Sequence, residues 1–451
     1  MNQTELFLRD LKKGMPGELP ENLKLRLQLA LLDYLGVTFA GVEANGEKLS
    51  KLIDMTERGE TPAIGIAKRM AMENAIFLNG LNAHTLDFDD GTNTGIIHLG
   101  SPVFSALLPL AARHDIPVGK FLKAALVGYE SAFTMAVSIQ PRHKNRGYHA
   151  TGTCGTLGAT LSIAELLEFD DRQRKAAFSA AAVSASGMLK VLDDGSALKP
   201  YNVGKAALMG YTAAKMGLVG YKGPDDVLAG ERGFFSMMYG DAAVQLQPIR
   251  LAGTFALEKA YIKPYAACRY CHPSIEAALT IRKKHGVEAA QIESITVRTY
   301  SLAVYKHDHT EIAGSGSAKM SIPYSVAVAV CKGEAGVSQF EGDILTDFDV
   351  LDLTKKVTVL ADEEMSANFP AKQTAVVEIR IKSGAVYSEQ VDFPKGEPEN
   401  PMSPEEVGEK FLSLMLYGGR SRNGAEKVLA AVMDIENQFA ELLDLIADAQ
   451  I

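Results

Sequence analysis

The hydrophobic period changes twice along this chain, and the change limits the folds open to it. Up to about residue 260 the apolar positions recur at helical spacing. Residues 21–41, ENLKLRLQLALLDYLGVTFAG, carry Leu23, Leu25, Leu27, Leu29, Leu31, Leu32 and Leu35 and end on a glycine suited to capping. Residues 151–169, TGTCGTLGATLSIAELLEF, are again helical in type. From about residue 288 the spacing shortens. QIESITVRTY (291–300) alternates as a strand does, with Ile292, Ile295 and Val297 among polar neighbours. TAVVEIRIKSGAVYSEQVDF (374–393) gives two alternating runs around Ser383 and Gly384, a hairpin signal. Helical spacing then returns at SPEEVGEKF, where Ser403 suits an N-cap, Pro404 the first helical position and Glu406 a capping box. The expected fold is therefore mainly α. A helical domain built from both chain ends (1–264 and 396–451) is interrupted by a smaller α+β domain (265–395).

Bulk properties narrow the function. The chain has 451 residues, enough for two or so domains, with 47% hydrophobic and 22% charged residues, as in ordinary globular proteins. No apolar run approaches the roughly 18 residues of a membrane span. The N-terminal stretch MNQTELFLRDLKKGMPGELP meets charges too early for a secretory signal. A cytoplasmic protein without a membrane partner is the expectation. The net charge of −9 and the lack of any Lys/Arg block argue against nucleic acid. Four cysteines (Cys154, Cys268, Cys271, Cys331) in so long a chain do not make a disulfide framework. Trp is absent while Ala and Gly are plentiful, which suits closely packed helices.

Four stretches could carry chemistry. AHTLDFDDGTNTGIIHLGSP (83–102) groups His84, Asp87, Asp89, Asp90 and His98. It reads as a solvated acidic loop, an acid–base cluster or a Mg²⁺ site. RGYHATGTCG (146–155) places His149 before a helix whose positive end favours a neutral imidazole, although a lone His there is more often a plain cap. Gly152, Gly155 and Gly158 recur every three residues, which fits tight helix packing better than a phosphate loop. GSALKPYNVGKAA (195–207) offers Lys199 ahead of Pro200, so the helix should begin after the lysine, and any surface lysine would look the same. In KPYAACRYCHPSIEAALTI (263–281), CRYCH has the spelling of a c-type haem site. Nothing directs export for haem attachment, no second C-x-x-C completes a zinc site, and no βαβ setting supports a redox dithiol. His272, at the start of a helix, is the remaining candidate.

Together these stretches resemble the MmgE/PrpD family, which includes 2-methylcitrate dehydratases, cis-aconitate decarboxylases and iminodisuccinate epimerase. The resemblance runs nearly end to end. It rests on NGLNAHTLDFDD (79–90), HATGTCGTLGA (149–159), LKPYNVGKAA (198–207), KPYAACRYCHPSIEA (263–277), AKMSIPYSVA (318–327) and PKGEPENPMSPEE (394–406), in the family's order. It implies a helical domain with an α+β lid, a homodimer, and no metal, iron–sulfur cluster or organic cofactor. Carried over by motif, it marks Asp87, His98, His149, Lys199, His272 and Tyr324 as catalytic. Asp90 and Arg269 join Lys199 and His272 as expected substrate contacts. CRYCH then becomes a catalytic-histidine motif with incidental cysteines. The chain also departs from the pattern, with Gly91 where several lyases carry threonine and Leu99 where proline commonly follows the histidine.

The resemblance implies a lyase, dehydratase or decarboxylase, acting on a small di- or tricarboxylate such as 2-methylcitrate or cis-aconitate. The alternatives are an epimerase of an iminodisuccinate-like dicarboxylate and a non-catalytic carboxylate-binding protein. The shared chemistry lies at a carbon α to a carboxylate, whose developing charge needs preorganised cations and donors. Lys199 and His272 would bind and stabilise charge, with His98 the candidate acid, His149 the preferred base and Tyr324 a second proton donor. Asp87 would orient a histidine. A positive pocket in an acidic chain also implies polyanion binding that weakens with salt.

Overall fold

In the computed structural model, which describes residues 1–192, 196–241, 243–448 and 451, two compact units are formed. One comprises residues 1–262 and 403–451, the other residues 263–402. Gly195, the first residue of the GSALKPYNVGKAA stretch, lies outside the described residues. The boundaries differ from 264/265 and 395/396, and the second has a clear cause. The Arg269 guanidinium donates to the backbone carbonyls of Pro394 and Lys395 and to the Glu397 carboxylate, tying the segment after 393 to the second unit.

The first unit is mainly helical. Its elements up to residue 218 are α1 (Gln3–Gly14), α2 (Glu21–Asp54), β1 (Arg58–Ala63), β2 (Ile66–Met70), α3 (Met72–Thr85), α4 (Gly100–Arg113), α5 (Val118–Ile139), α6 (Arg142–Asn145), α7 (Ala150–Leu166), α8 (Asp171–Ser184) and α9 (Lys199–Leu218). α7 is central: it packs against α4, α5, α8 and α9 and is buried along almost its whole length. Its glycines serve that packing, since a Cβ on Gly158 would lie 2.8 Å from the Gly128 carbonyl of α5. The strip of small residues is helix–helix contact rather than a phosphate loop.

Three sequence expectations are corrected here. α2 does not stop at Gly41. It continues to Asp54 with a kink at Gly46, and Gly41 is the point where α2 meets α3, a Cβ there falling 2.0 Å from the Asn82 carbonyl. Averaged over its interspersed charges, α2 is also long and apolar enough to cross a membrane, with a mean hydropathy of 1.3 in a window that is 78% buried in this fold. Finally, the region before residue 260 is not all helix. RGETPA and IAKRM form the antiparallel pair β1–β2, too short and polar to show a period of two. Among the described residues, 219–262 hold a single short α-helix, Phe234–Tyr239.

The chain's last described segment packs back onto this unit. The helix Pro404–Tyr417 starts with the capping box of Ser403 and Glu406, with proline in its first turn, and lies against α2. Its Lys410 ammonium bonds the Asp33 carboxylate of α2 at 2.5 Å and the Phe88 carbonyl at 2.9 Å, and lies 3.8 Å from the Phe88 ring centre. Both charged side chains are buried, and pairing is what makes such burial tolerable.

The second unit is α+β. β3 (Ile292–Thr299), β4 (Val357–Ala361), β5 (Ala375–Ile381) and β6 (Val386–Val391) form a sheet in the order β4-β3-β5-β6. β3 and β4 run parallel; the other neighbours are antiparallel. Ile292 and Ile295 are an odd number of residues apart yet both are buried, and a register irregularity between Ile292 and Ser294 reconciles them. The β5–β6 hairpin turns through Ser383 and Gly384, the glycine at φ +89°. α11 (His272–His285), following α10 (Phe234–Tyr239), packs on β5, β6 and the helix Ile322–Lys332.

Candidate active site

α3 ends at Thr85, and the DFDD box follows with its four side chains pointing to four different jobs. Asp87 adopts φ +52°, a left-handed conformation that aspartate enters more readily than most residues. Phe88 goes into the core beneath Lys410. Asp89 is buried and accepts from His84 Nδ1 at 2.9 Å and from the Ser101 hydroxyl at 2.6 Å. Asp90 accepts from the Gly100 N–H at 2.9 Å and the Tyr129 hydroxyl at 2.7 Å, so its carboxylate anchors the start of α4. Its two oxygens are thereby committed inside the fold, an arrangement that suits an anchor better than the expected substrate contact. Burial pushes its pKa up to about 6.

The loop after the box brings His98 back to it. Thr92 and Ile97 bridge across the loop, and Gly91 pairs with Tyr261 in both directions. A Cβ on Gly91 would lie 2.6 Å from the Tyr261 hydroxyl oxygen, so a larger residue here needs the phenol to shift. His98 Nδ1 sits 3.3 Å from Asp89 and its Nε2 sits 3.7 Å from Asp87, within ion-pair range. The backbone N–H of His98 donates to the Thr151 hydroxyl in the first turn of α7, which fixes the loop to that helix.

α7 and α9 complete the cluster. His149 is the N-cap residue of α7 and is 6% exposed. Burial, then the nearby Lys199 charge, holds its pKa well below the usual histidine value, so it is neutral at pH 7. The Asn202 amide nitrogen of α9 lies 3.3 Å from its Nδ1. Lys199, the first residue of α9 rather than a residue before it, reaches Asp87 Oδ2 at 2.6 Å.

One histidine at the centre has no role in the sequence reading. His84, in the last turn of α3, has no exposed surface, and its ring centre lies 4.6 Å from that of His98 and 5.8 Å from that of His149. Burial pulls its pKa down to about 4. Burial acts to raise the pKa of Asp89, but His84 and His98 beside it hold that carboxyl well below its ordinary value. The signal for both is the H-x-x-D-x-D spacing of residues 84–89, which brings His84 and Asp89 together across the turn that ends α3.

The structure thus gathers Asp87, His98, His149 and Lys199 with the unassigned His84 and Asp89. The remaining candidates lie in the second unit. Arg269 donates to His272 Nδ1 at 2.7 Å, and His272 Nε2 lies 3.1 Å from the Ala267 carbonyl. Both His272 nitrogens are engaged, and the residue is fully buried. Tyr324, in the helix Ile322–Lys332, donates its hydroxyl to the Gln339 carbonyl at 2.9 Å, and burial pushes its pKa far up. In CRYCH, Cys271 is buried and Cys268 lies beside His307, and none of the four cysteines is in a disulfide.

Donor atoms of His84, Asp87, Asp89 and His98 lie within 4.8 Å of one another, a set able to hold a metal ion. The Lys199 ammonium already sits on Asp87, so any ion there competes with a fixed cation.

A helical unit with a histidine–aspartate–lysine cluster at one helix end, joined to an α+β unit, defines a class for which known proteins can be compared. The chain belongs to the MmgE/PrpD family: its residues 15–247 match the MmgE/PrpD N-terminal domain and residues 265–435 the C-terminal domain. It is similar to the cis-aconitate decarboxylase of Aspergillus terreus, 25% identical over 431 residues, covering 88% of this chain and 86% of that protein. The cis-aconitate decarboxylase of Homo sapiens is 25% identical over 463 residues, covering 96% and 92%. That of Mus musculus is 24% identical over 460 residues, covering 96% and 91%.

Proposed function

We propose that this protein is a cofactor-independent lyase acting on a small di- or tricarboxylate by acid–base chemistry at a carbon α to a carboxylate. The observation that carries the reading is the Lys199–Asp87 pair set beside three imidazoles in one partly buried cluster. An ammonium positioned there stabilises the charge that develops on a substrate carboxylate as the α-carbon gains electron density. His98, held near Asp87 and Asp89, is the proton donor in this reading. The curated relatives being cis-aconitate decarboxylases supports a lyase of this kind, while 25% identity leaves the substrate open.

Further features enter through the family resemblance alone: the roles of His272 and Arg269 in binding carboxylate and of Tyr324 as a second donor, the lid role of the smaller domain, the homodimer and the cytoplasmic location. Epimerisation of an iminodisuccinate-like dicarboxylate is the second reading. Gly91 keeps it close, because it stands where several lyases carry threonine and a Cβ there would crowd the Tyr261 phenol.

Proton NMR in D₂O decides between them. The EDTA-treated protein is mixed in turn with 2-methylcitrate, citrate, cis-aconitate and iminodisuccinate. Loss of water or CO₂ supports the lyase and names its substrate class. Deuterium entering an α-carbon without net loss of substrate moves the protein to the epimerases. Silence with all four leaves a protein that binds carboxylates without turning them over.

A further inference from the structure

The family resemblance leaves the two cysteines of CRYCH without a role, and the second unit gives one of them a base. His307 Nδ1 lies 2.7 Å from the Tyr305 carbonyl, which can only accept, so the ring proton is on Nδ1. Nε2 then carries the lone pair, and it faces the half-buried Cys268 thiol at 3.6 Å. One short segment holds both residues. The Cys268 N–H donates to the Lys319 carbonyl at 2.8 Å, and the Ile322 N–H donates to the His307 carbonyl at 2.8 Å. The imidazole is 6% exposed, with the ring of Tyr270 nearly perpendicular to it at 5.4 Å. Cys271 stands across a single 3₁₀ turn, Arg269–Cys271, and its N–H donates to the Cys268 carbonyl at 2.9 Å. Such a turn brings its end Cα atoms within about 7 Å of each other, near the roughly 4.4–6.8 Å that a disulfide spans.

We propose that Cys268, with His307 as its base, is an oxidant-sensitive thiol: a peroxide converts it to a sulfenic acid, which Cys271 closes into a Cys268–Cys271 disulfide. The Cys268 thiol proton passes to His307 Nε2, and the thiolate attacks one peroxide oxygen. The S–O bond forms as the O–O bond breaks. The departing hydroxide takes the proton from His307 and leaves as water. Sulfur is oxidised to the sulfenic acid and the peroxide is reduced. The Cys271 sulfur then displaces the sulfenic hydroxyl, the S–S bond forming as the S–O bond breaks. Its thiol proton leaves with that oxygen as a second water. The order of the two cysteines follows from their surroundings. Cys271 is fully buried, and burial, then the neighbouring Cys268, pushes its thiol far up, so it stays protonated and reacts second. This thiol site lies within the second unit and is independent of the lyase reading.

The test labels the full chain with iodoacetamide and reads each cysteine by peptide mass spectrometry. Cys331 is the internal reference, a second half-buried thiol that burial pushes up to about 11. Cys268 should react about tenfold faster than Cys331 or more. His307→Gln, with its melting temperature reported alongside, should remove most of that advantage. Hydrogen peroxide should link the peptides of Cys268 and Cys271 in the wild type, and dithiothreitol should release them. Cys271→Ser should instead accumulate a sulfenic acid at Cys268 that dimedone traps. Equal labelling of Cys268 and Cys331 in the wild type would overturn the proposal without recourse to a variant. Undiminished labelling of Cys268 in folded His307→Gln would overturn the assignment of the base. Peroxide that leaves Cys268 and Cys271 unlinked, or oxidises Cys331 first, would overturn the disulfide.

Discussion

The Lys199 ammonium lies 2.6 Å from Asp87 Oδ2, joining the first residue of α9 to the turn after α3. This pair puts a positive group beside the histidines without a metal. Lys199→Met should lower kcat/KM for the accepted carboxylate by about 10²-fold or more. Lys199→Arg, which keeps the charge but not the compact geometry, should recover only part of it. Steady-state kinetics on the three proteins checks the order.

The same pair sets an expectation for metal removal. Activity should survive dialysis against EDTA. Loss of activity on chelation, restored by one divalent ion per chain, would show that His84, Asp87, Asp89 and His98 work as ligands instead.

Acid should destabilise the fold between pH 6.5 and about 4. His84 and His143 are each pulled by burial from 6.5 to about 4, and His149 moves the same way, so the unfolded chain binds protons in this window that the folded chain does not. Stability therefore falls as pH drops, by on the order of 3 kcal/mol for His84 alone. Asp90, Glu130 and Glu276, raised by burial, act in the opposite sense and offset part of this loss. Melting temperatures across this range should decline, and His143→Phe should flatten the decline.

Lys410→Met leaves the Asp33 carboxylate buried without its ammonium. A cost of about 3–5 kcal/mol is expected. The double change Lys410→Met with Asp33→Asn should be milder, which urea unfolding of both proteins would establish.

Gly91→Thr forces a side chain against Tyr261. Overpacking of this kind costs about 1–3 kcal/mol. Adding Tyr261→Ala should return most of the lost melting temperature, because the clash is with the phenol.

What the sequence made legible follows the strength of the local signals. The capping box at Ser403, the β5–β6 hairpin and the strand at 292–299 each carry turn or period chemistry within a few residues. The β1–β2 pair does not, being short and polar, and the continuation of α2 past Gly41 depends on its contact with α3. At the site, residue types marked Asp87, His98, His149 and Lys199, and the fold brings these four together. The parts that side-chain direction decides stayed hidden: that Asp90 anchors α4 while Asp89 holds two histidines, and that His84 faces inward. His272 and Tyr324 have their polar atoms engaged within their own unit, and their marking rests on the family resemblance.

The lysine over Phe88 stands 322 positions further along the chain than the residue it contacts. During synthesis, α3 and the DFDD box therefore leave the ribosome long before their foundation exists. The contacts of residue 410 with Asp33 and Phe88 form only once that residue has been translated and folded back.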